Sequence, residues 1–424
     1  MRKYKALLLT CLIVVTVSLL YTGCLKDRVR GVESYTIYTP VYALKSTIRA
    51  AINGNPSQPV TQTGQIYTKG SYIYLNDVNA GIHIIDNSDP THPVQIAFLN
   101  IPGNENIAIR GNILYADMYE DLLAIDITNP HQVKITGTLW GFFTGRYYGS
   151  DSNSIVATWI KKDTSIPVGA PQPMGWYSSP GGVMVYAANG APVPAASNAS
   201  SAATGTAGSN AVMTLIGDYL YAIPEEHTLG VVKVTDSTQP TKIQSSAGGY
   251  DLETIFPLQN NLLVGSKEGV FIYSIATPGQ PVQVSEFEHG TACDPVIANQ
   301  NFAYVTLHAG TGCGGSANEL DVLSAQDLSQ ATLLKTYPMT SPSGLCLDGS
   351  LLFVCDGPGV KVFNAAAPAN LQLLSELNVS NSSDVIAANN LLIVVTTSGL
   401  YQYDYTDPTH ITPLSYLPVN TVAP

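Results

Sequence analysis

From residue 65 onward the chain runs in short apolar-alternating stretches, each bounded by turn formers. The first group is 65–69, 72–75, 81–85 and 94–99, and the second is 107–109, 113–116, 122–125 and 133–139. Four stretches in succession predict an antiparallel meander, and long amphipathic helices are hard to find. The third stretch of each group ends in a recurrent string, first met as Gly81-Ile82-His83-Ile84-Ile85-Asp86-Asn87-Ser88-Asp89-Pro90. An alternating strand is followed there by a side chain that can accept a hydrogen bond from an amide two residues on. Proline, with fixed φ and no donor, then closes the turn.

Copies of this turn begin at Asp126, Asp236, Ser274, Asn364 and Asp404, with a degenerate copy at Ser324. Successive spacings are 40, 110, 38, 50, 40 and 40 residues. A period near 40 is that of a four-stranded propeller blade. A lone meander cannot bury both its faces, whereas blades stacked in a ring bury them against one another. The expected fold class is therefore all-β: a β-propeller with seven clear repeats and a worn eighth drawn from 145–149, 154–160 and 183–187. The alternative is seven blades with a long insertion at 140–209. Within that interval 167–180 is rich in Pro and Gly. Residues 191–210 are nearly all Ala, Ser, Thr, Gly and Pro, a composition that buries too little apolar surface to order itself.

Composition adds an address and removes one class of partner. The 424 residues carry only 12% charged side chains against 36 Gly, 27 Pro and 24 Tyr, which suits many short strands and tight turns. A net charge of −12 repels polyanions, so no nucleic-acid partner is expected. Arg2, Lys3 and Lys5 precede an apolar run over residues 6–20, the layout of a signal peptide at 1–23. Tyr21-Thr22-Gly23-Cys24 resembles a bacterial lipobox, departing from the usual Leu at Tyr21, which makes Cys24 the expected lipid attachment site. Residues 24–60 then read as a lipidated N-terminus and tether, and 61–420 as the propeller. The reading places the protein at the bacterial outer membrane, on its periplasmic or cell-surface side, held through an N-terminal lipid. Leu25-Lys26-Asp27 resembles the surface-export tag of Bacteroidetes lipoproteins.

With Cys11 in the leader and Cys24 assigned to lipid, Cys293, Cys313, Cys346 and Cys355 remain, with three possible pairings. Cys293 with Cys313 is the favoured disulfide, each lying beside Gly-containing sequence within one repeat. Cys346 and Cys355 lie on adjacent strands around the Asp348-Gly349-Ser350 turn in a register that does not oppose them, so they are expected as buried thiols.

Leu392-Ile393-Val394-Val395 followed by Gly399-Leu400-Tyr401-Gln402-Tyr403-Asp404 repeats the pattern of 81–86 and 122–126. With Cys293-Asp294-Pro295-Val296, Gly312-Cys313-Gly314-Gly315 and Tyr401-Gln402-Tyr403-Asp404-Tyr405, it resembles the LVIVD-repeat proteins, bacterial propeller lipoproteins frequent in Bacteroidetes. The resemblance covers roughly residues 61–420. It implies fold and localisation, and it carries over no catalytic residue.

Candidate chemistry is sparse. The seven histidines lack zinc-site spacing, although His289 and His308 flank the Cys293 region. There is no Gly-x-Ser-x-Gly elbow, no His-Glu-x-x-His and no phosphate loop. Aligning the repeats puts Asn106, Asp251, Asp294, Gly344 and Asp384 at equivalent starts of inner strands, which line one mouth of a propeller channel. Asp251, Asp294 and Asp384, with Glu253, are thus candidates for a partial carboxylate ring holding a divalent cation such as calcium, or a polar ligand. The competing role for each is to cap a local turn or to accept amide hydrogen bonds. Trp176 and Tyr177, in the long insertion, form a candidate contact loop. The functional expectation is a noncatalytic binding or scaffold module for an envelope protein or glycan. The alternatives are a propeller hydrolase or lyase with an acidic channel mouth, and a purely structural envelope protein.

Overall fold

Seven four-stranded antiparallel sheets, built in sequence order from the repeats, form a seven-bladed β-propeller. The computed structural model describes residues 32–146, 153–167, 176–178, 183–186, 206–249, 251–289, 295–310 and 315–419. Blade 1 comprises Thr63–Lys69, Tyr72–Asp77, Gly81–Asp86 and Val94–Asn100, and blade 2 runs from Ile107–Arg110 to Lys134–Leu139. Blades 3 to 7 begin at Met213–Ile216, Leu252–Leu258, Val296–Ala298, Pro342–Asp348 and Ser382–Ala388. The long-insertion alternative is the one observed. Two of the three stretches expected to make a worn eighth blade belong instead to a separate sheet, ordered Ser154–Pro167, Val32–Leu44, Val183–Tyr186, Trp176–Ser178, while 147–149 of the third lie outside the described residues. That sheet mixes parallel pairing (Thr36↔Val183) with antiparallel pairing (Trp176↔Tyr186), unlike any blade. The chain accordingly divides into two compact units, residues 1–39 with 159–192, and residues 40–158 with 193–424, which hold the ring.

The recurrent string is the third strand and the turn to the fourth. Asp86, Asp126, Asp236 and Asp404 each accept a hydrogen bond from the amide two residues on, at 2.7–2.9 Å, as Asn364 does at 3.0 Å. The hydroxyls of Thr128, Thr238 and Thr406, together with these amides, favour the ionised carboxylates and hold all four below the usual carboxylate range. The proline has a second role that the sequence does not reveal. In several turns its carbonyl accepts a hydroxyl from the preceding blade: Tyr221 to Pro278, Tyr337 to Pro368, Ser375 to Pro408 and Ser415 to Pro90. The last of these joins blade 7 to blade 1.

Every blade has a β-bulge at the same place in its third and fourth strands, for example between Ile84 and Ile85 or Gln402 and Tyr403. The extra residue sharpens the twist. Apolar clusters fill the spaces between neighbouring blades. The cluster across the closure joins Ile66, Ile73 and Leu75 of blade 1 to Ile386, Ile393 and Val395 of blade 7. The reciprocal amide pair Asn87–Gln402, at 2.8 Å both ways, and a bridge between Val60 and Val419 complete it.

Two segments differ from expectation. The stretch read as a tether carries Val32–Leu44 and a short helix, Lys45–Ala50, with Lys45 and Ile52 buried. The low-complexity stretch orders at its end through polar contacts rather than apolar burial. Thr206–Ala207 adds a fifth strand to the inner edge of blade 1, paired with Thr68 and Tyr67. Among the described residues, no helix is long and apolar enough to cross a membrane.

Candidate functional site

Residues 206–211 run through the middle of the ring, touching the innermost strands of four blades. After the pairing with blade 1, the Ser209 amide and hydroxyl both donate to Asp384 Oδ1 of blade 7, at 2.8 and 3.1 Å. The same hydroxyl accepts from the Leu345 amide of blade 6 at 2.8 Å, and the Ala211 carbonyl accepts from Ile255 of blade 4 at 2.6 Å. Asn210 donates to the Ser383 carbonyl.

Asp384 is consequently 3% exposed and does not stand at an open channel mouth. Burial pushes its carboxyl up to about 6, against the opposing pull of the Ser209 and Val385 amides. Its Oδ2 accepts no hydrogen bond and lies where a Cβ on Gly208 would come within 1.9 Å. Asp384 thus accepts amide hydrogen bonds, one of them from a residue 175 positions away in sequence rather than from a local turn.

Two other members of the expected ring, Asp251 and Glu253, stand at the start of blade 4. Asp251, with φ of +48°, sits at the bend into blade 4, where its amide donates to His227 Nδ1 at 3.2 Å and its carboxylate meets Lys267 at 3.3 Å. Glu226, His227 and Asp251 are the one set of three potential ligand residues among the described residues whose donor atoms fall within 4.8 Å of one another. His227 Nδ1 and the Asp251 carboxylate are already engaged within that surface turn. Glu253 is half-buried one residue into the same strand. Asp294, Cys293, Cys313 and Cys24 lie outside the described residues. Trp176 and Tyr177 stand on a strand in register with Tyr186 and Val185. Cys346 pairs in register with Phe353 rather than Cys355, and both are free thiols that burial pushes up.

A different site is built where blade 2 ends. After Lys134–Leu139 the chain turns at Gly141, with φ of +57°, and sends Phe142 and Phe143 into the core between blades 2 and 3. Arg146 anchors the far end, pairing with Asp117 and with Glu105 at 3.2 Å and donating to the Gly103 carbonyl at 2.7 Å. Pinned on both sides, the turn leaves Trp140 56% exposed.

Arg49, on the Lys45–Ala50 helix, lies over the indole with its guanidinium carbon 3.8 Å from the ring centroid. Lys45 pairs with Glu120 and, at 3.3 Å, with Asp121 Oδ2, while Asp121 Oδ1 accepts from the Gly141 amide at 3.0 Å. Burial alone would lower the Lys45 pKa, but the two carboxylates outweigh it and raise it. These residues line an open cleft of about 920 Å³. Its charges balance, two cations against two carboxylates. Arg49 Nη1 and Asp121 Oδ2 are buried and take no part in a hydrogen bond. Sequence reasoning missed Lys45, Arg49, Glu120 and Asp121. The available signal was Trp140, the first residue at which the period fails.

Residues 62–98 and 104–138 match the LVIVD repeat, which coincides with blades 1 and 2. No curated protein sequence matches the chain. A protein from Lactobacillus plantarum is similar in structure, with a TM-score of 0.55 at 12% identity over 84% of this chain and 96% of that one. The periplasmic gluconolactonase of Pseudomonas aeruginosa gives 0.52 at 11% identity over 85% and 97%. The computationally designed Ika8 protein gives 0.52 at 10% over 85% and 89%. At these identities the likeness is one of fold. The chain is thus a β-propeller whose blades 1 and 2 match the LVIVD repeat.

Proposed function

We propose that this chain is a noncatalytic binding or scaffold module of the bacterial cell envelope, lipid-anchored at Cys24 and presenting the Trp140 cleft to an envelope protein or glycan. The observation that carries the reading is the cleft itself. An exposed indole with a guanidinium stacked on it, edged by Lys45 and Glu120, opens on a cleft of about 920 Å³, on a turn pinned to the ring. The alternative of a hydrolase or lyase leaned on carboxylates at the channel mouth, and Asp384 is withdrawn from solvent by Ser209. Binding therefore accounts for more of the geometry than catalysis does.

A photo-crosslinking residue in place of Trp140, in cells expressing the full chain, is expected to give a discrete adduct with an envelope component. The same residue at Val282, exposed on an outer strand, serves as the control. Equal or absent labelling at both positions contradicts the binding role and leaves a purely structural envelope protein. For the anchor, Cys24→Ser is expected to move the protein from the membrane fraction to the soluble fraction. Retention in the membrane after that change would refute lipidation.

A further inference from the structure

We infer that residues 206–210 are a releasable plug in the middle of the ring, seated while the Asp384 carboxyl is neutral and released when it ionises. The seat centres on that side chain. Asp384 Oδ1 accepts from the Ser209 amide and hydroxyl and from the Val385 amide, while Oδ2 is buried and accepts nothing. Gly208 closes Oδ2 off, since a Cβ there would come within 1.9 Å of it. With Oδ1 filled by donors, a neutral carboxyl carries its proton on Oδ2 and brings no charge into the seat. An ionised one puts charge on an oxygen that no donor faces and solvent does not reach, which is costly in a protein interior. Withdrawal of the segment removes that cost by letting water reach Oδ2.

The other contacts that hold the segment are few and polar. Thr206–Ala207 pairs over only two residues, the Gly208 amide donates to the Ile66 carbonyl at 3.4 Å, and Ser209 Oγ accepts from the Leu345 amide at 2.8 Å. Water can replace each of them, so the ionisation of one buried carboxyl weighs heavily in the balance. The pivot is Ala211, fully buried, bonded to Ile255 and two residues ahead of Met213–Ile216. Release bares the inner edge of blade 1 at Tyr67 and Thr68, together with the Leu345 amide.

The charges around the seat leave Asp384 in control. Residues 206–211 carry no titratable side chain, and Asp384 is the one such group on its own strand, Ser382–Ala388. Blade 6 sets Cys346 and Cys355 near the carboxyl as thiols that burial keeps neutral. The Asp348 and Asp356 carboxylates that act on these thiols are engaged by the Tyr405 hydroxyl and by Lys361. The inner strand of blade 1 brings Lys69, bonded to Asn112, and that of blade 4 brings Glu253, a second acid rather than a cation. Burial accordingly holds the Asp384 carboxyl up at about 6.

Hydrogen exchange on the full mature chain, read by mass spectrometry from pH 5 to 8 and corrected for the intrinsic rate at each pH, tests the release. Opening of residues 206–210 is expected to rise about tenfold over that range and to level off above about pH 7, as a carboxyl at about 6 in the seat and at its ordinary 3.8 in water dictates. Asp384→Asn should hold the opening constant, and Ser209→Ala should raise it at every pH with the rise retained. The strand Phe302–Leu307 of blade 5, outside the segment's contacts, is the reference. A flat profile in the wild-type chain overturns the inference, as does a rise that Asp384→Asn keeps or that the blade 5 strand shares. Should Asp384→Asn not fold, the wild-type profile and Ser209→Ala still decide, and an opening that Ser209→Ala leaves unchanged overturns it too.

Discussion

Asp384 gathers three donors on one carboxylate oxygen and keeps the other against Gly208. With its folded carboxyl raised to about 6, above an ordinary Asp value of 3.8, the neutral acid is the form the fold favours. Its contribution is therefore fully present below about pH 4 and is lost as pH rises through about 6, on the order of 3 kcal/mol. The groups around it add no cation: Cys346 and Cys355 are buried thiols that themselves disfavour charge. Asp384→Asn is expected to remove this part of the pH dependence. Thermal midpoints of the two proteins, recorded from pH 4 to 8, should converge at low pH and separate as pH rises, with the variant the more stable. Parallel curves would sink the assignment. Asp86 and Asp126 are readable in the sequence because their partners lie two residues away, whereas the distant partner of Asp384 lies 175 residues away, at the end of the low-complexity stretch. Local chemistry leaves a local signature, and a contact made across the ring does not.

At the scale of the strand, the glycine that opens the recurrent string has a steric cause. A Cβ on Gly81, Gly269, Gly359 or Gly399 would come within 1.9–2.3 Å of a carbonyl oxygen on the fourth strand. Three residues earlier, or four in the first copy, Ser266, Asp356 and Thr396 or Asp77 receive amides of the adjoining turn or loop. Gly359→Ala must therefore displace backbone, at a cost of about 2–3 kcal/mol or more. Gly349→Ala, at φ of +57° with open space around it, should cost only about 1 kcal/mol. Urea unfolding midpoints at equal m-values should rank the two, and equal losses would contradict the steric account. The period of 40 makes the blades legible from the residues alone. The reason for each glycine is not legible there, because the fourth-strand oxygen follows it by 18 residues in every copy. The Trp140 cleft is hidden for a related reason: the helix and turn that line it are 91 residues apart at Arg49 and Trp140, and neither repeats.

For the molecule as a whole, closure rests on side chains and the Val60–Val419 backbone bridge rather than on a shared strand. Blade 1 and blade 7 each take their four blade strands from continuous chain, and they meet through the Ile66–Ile393 cluster, the Asn87–Gln402 pair and the Ser415 bond to Pro90. Gln402→Leu leaves the Asn87 amide buried without its partner, an expected loss of about 1–3 kcal/mol by denaturant titration. Faster hydrogen exchange confined to blades 1 and 7 should accompany it, whereas exchange spread evenly over the ring would place the weak point elsewhere. The thread through the middle also bears on how such a ring is made. Residues 206–211 are laid down before blades 6 and 7 exist, yet those blades later clasp them through Leu345 and Asp384. The last third of the chain therefore assembles around an axle already held by blade 1, rather than beside a finished neighbour. Contacts spanning 136 and 175 residues tie this axle to blades 6 and 7, so a chain ended short of blade 6 keeps its hold on blades 1 and 4 and lacks both later clasps.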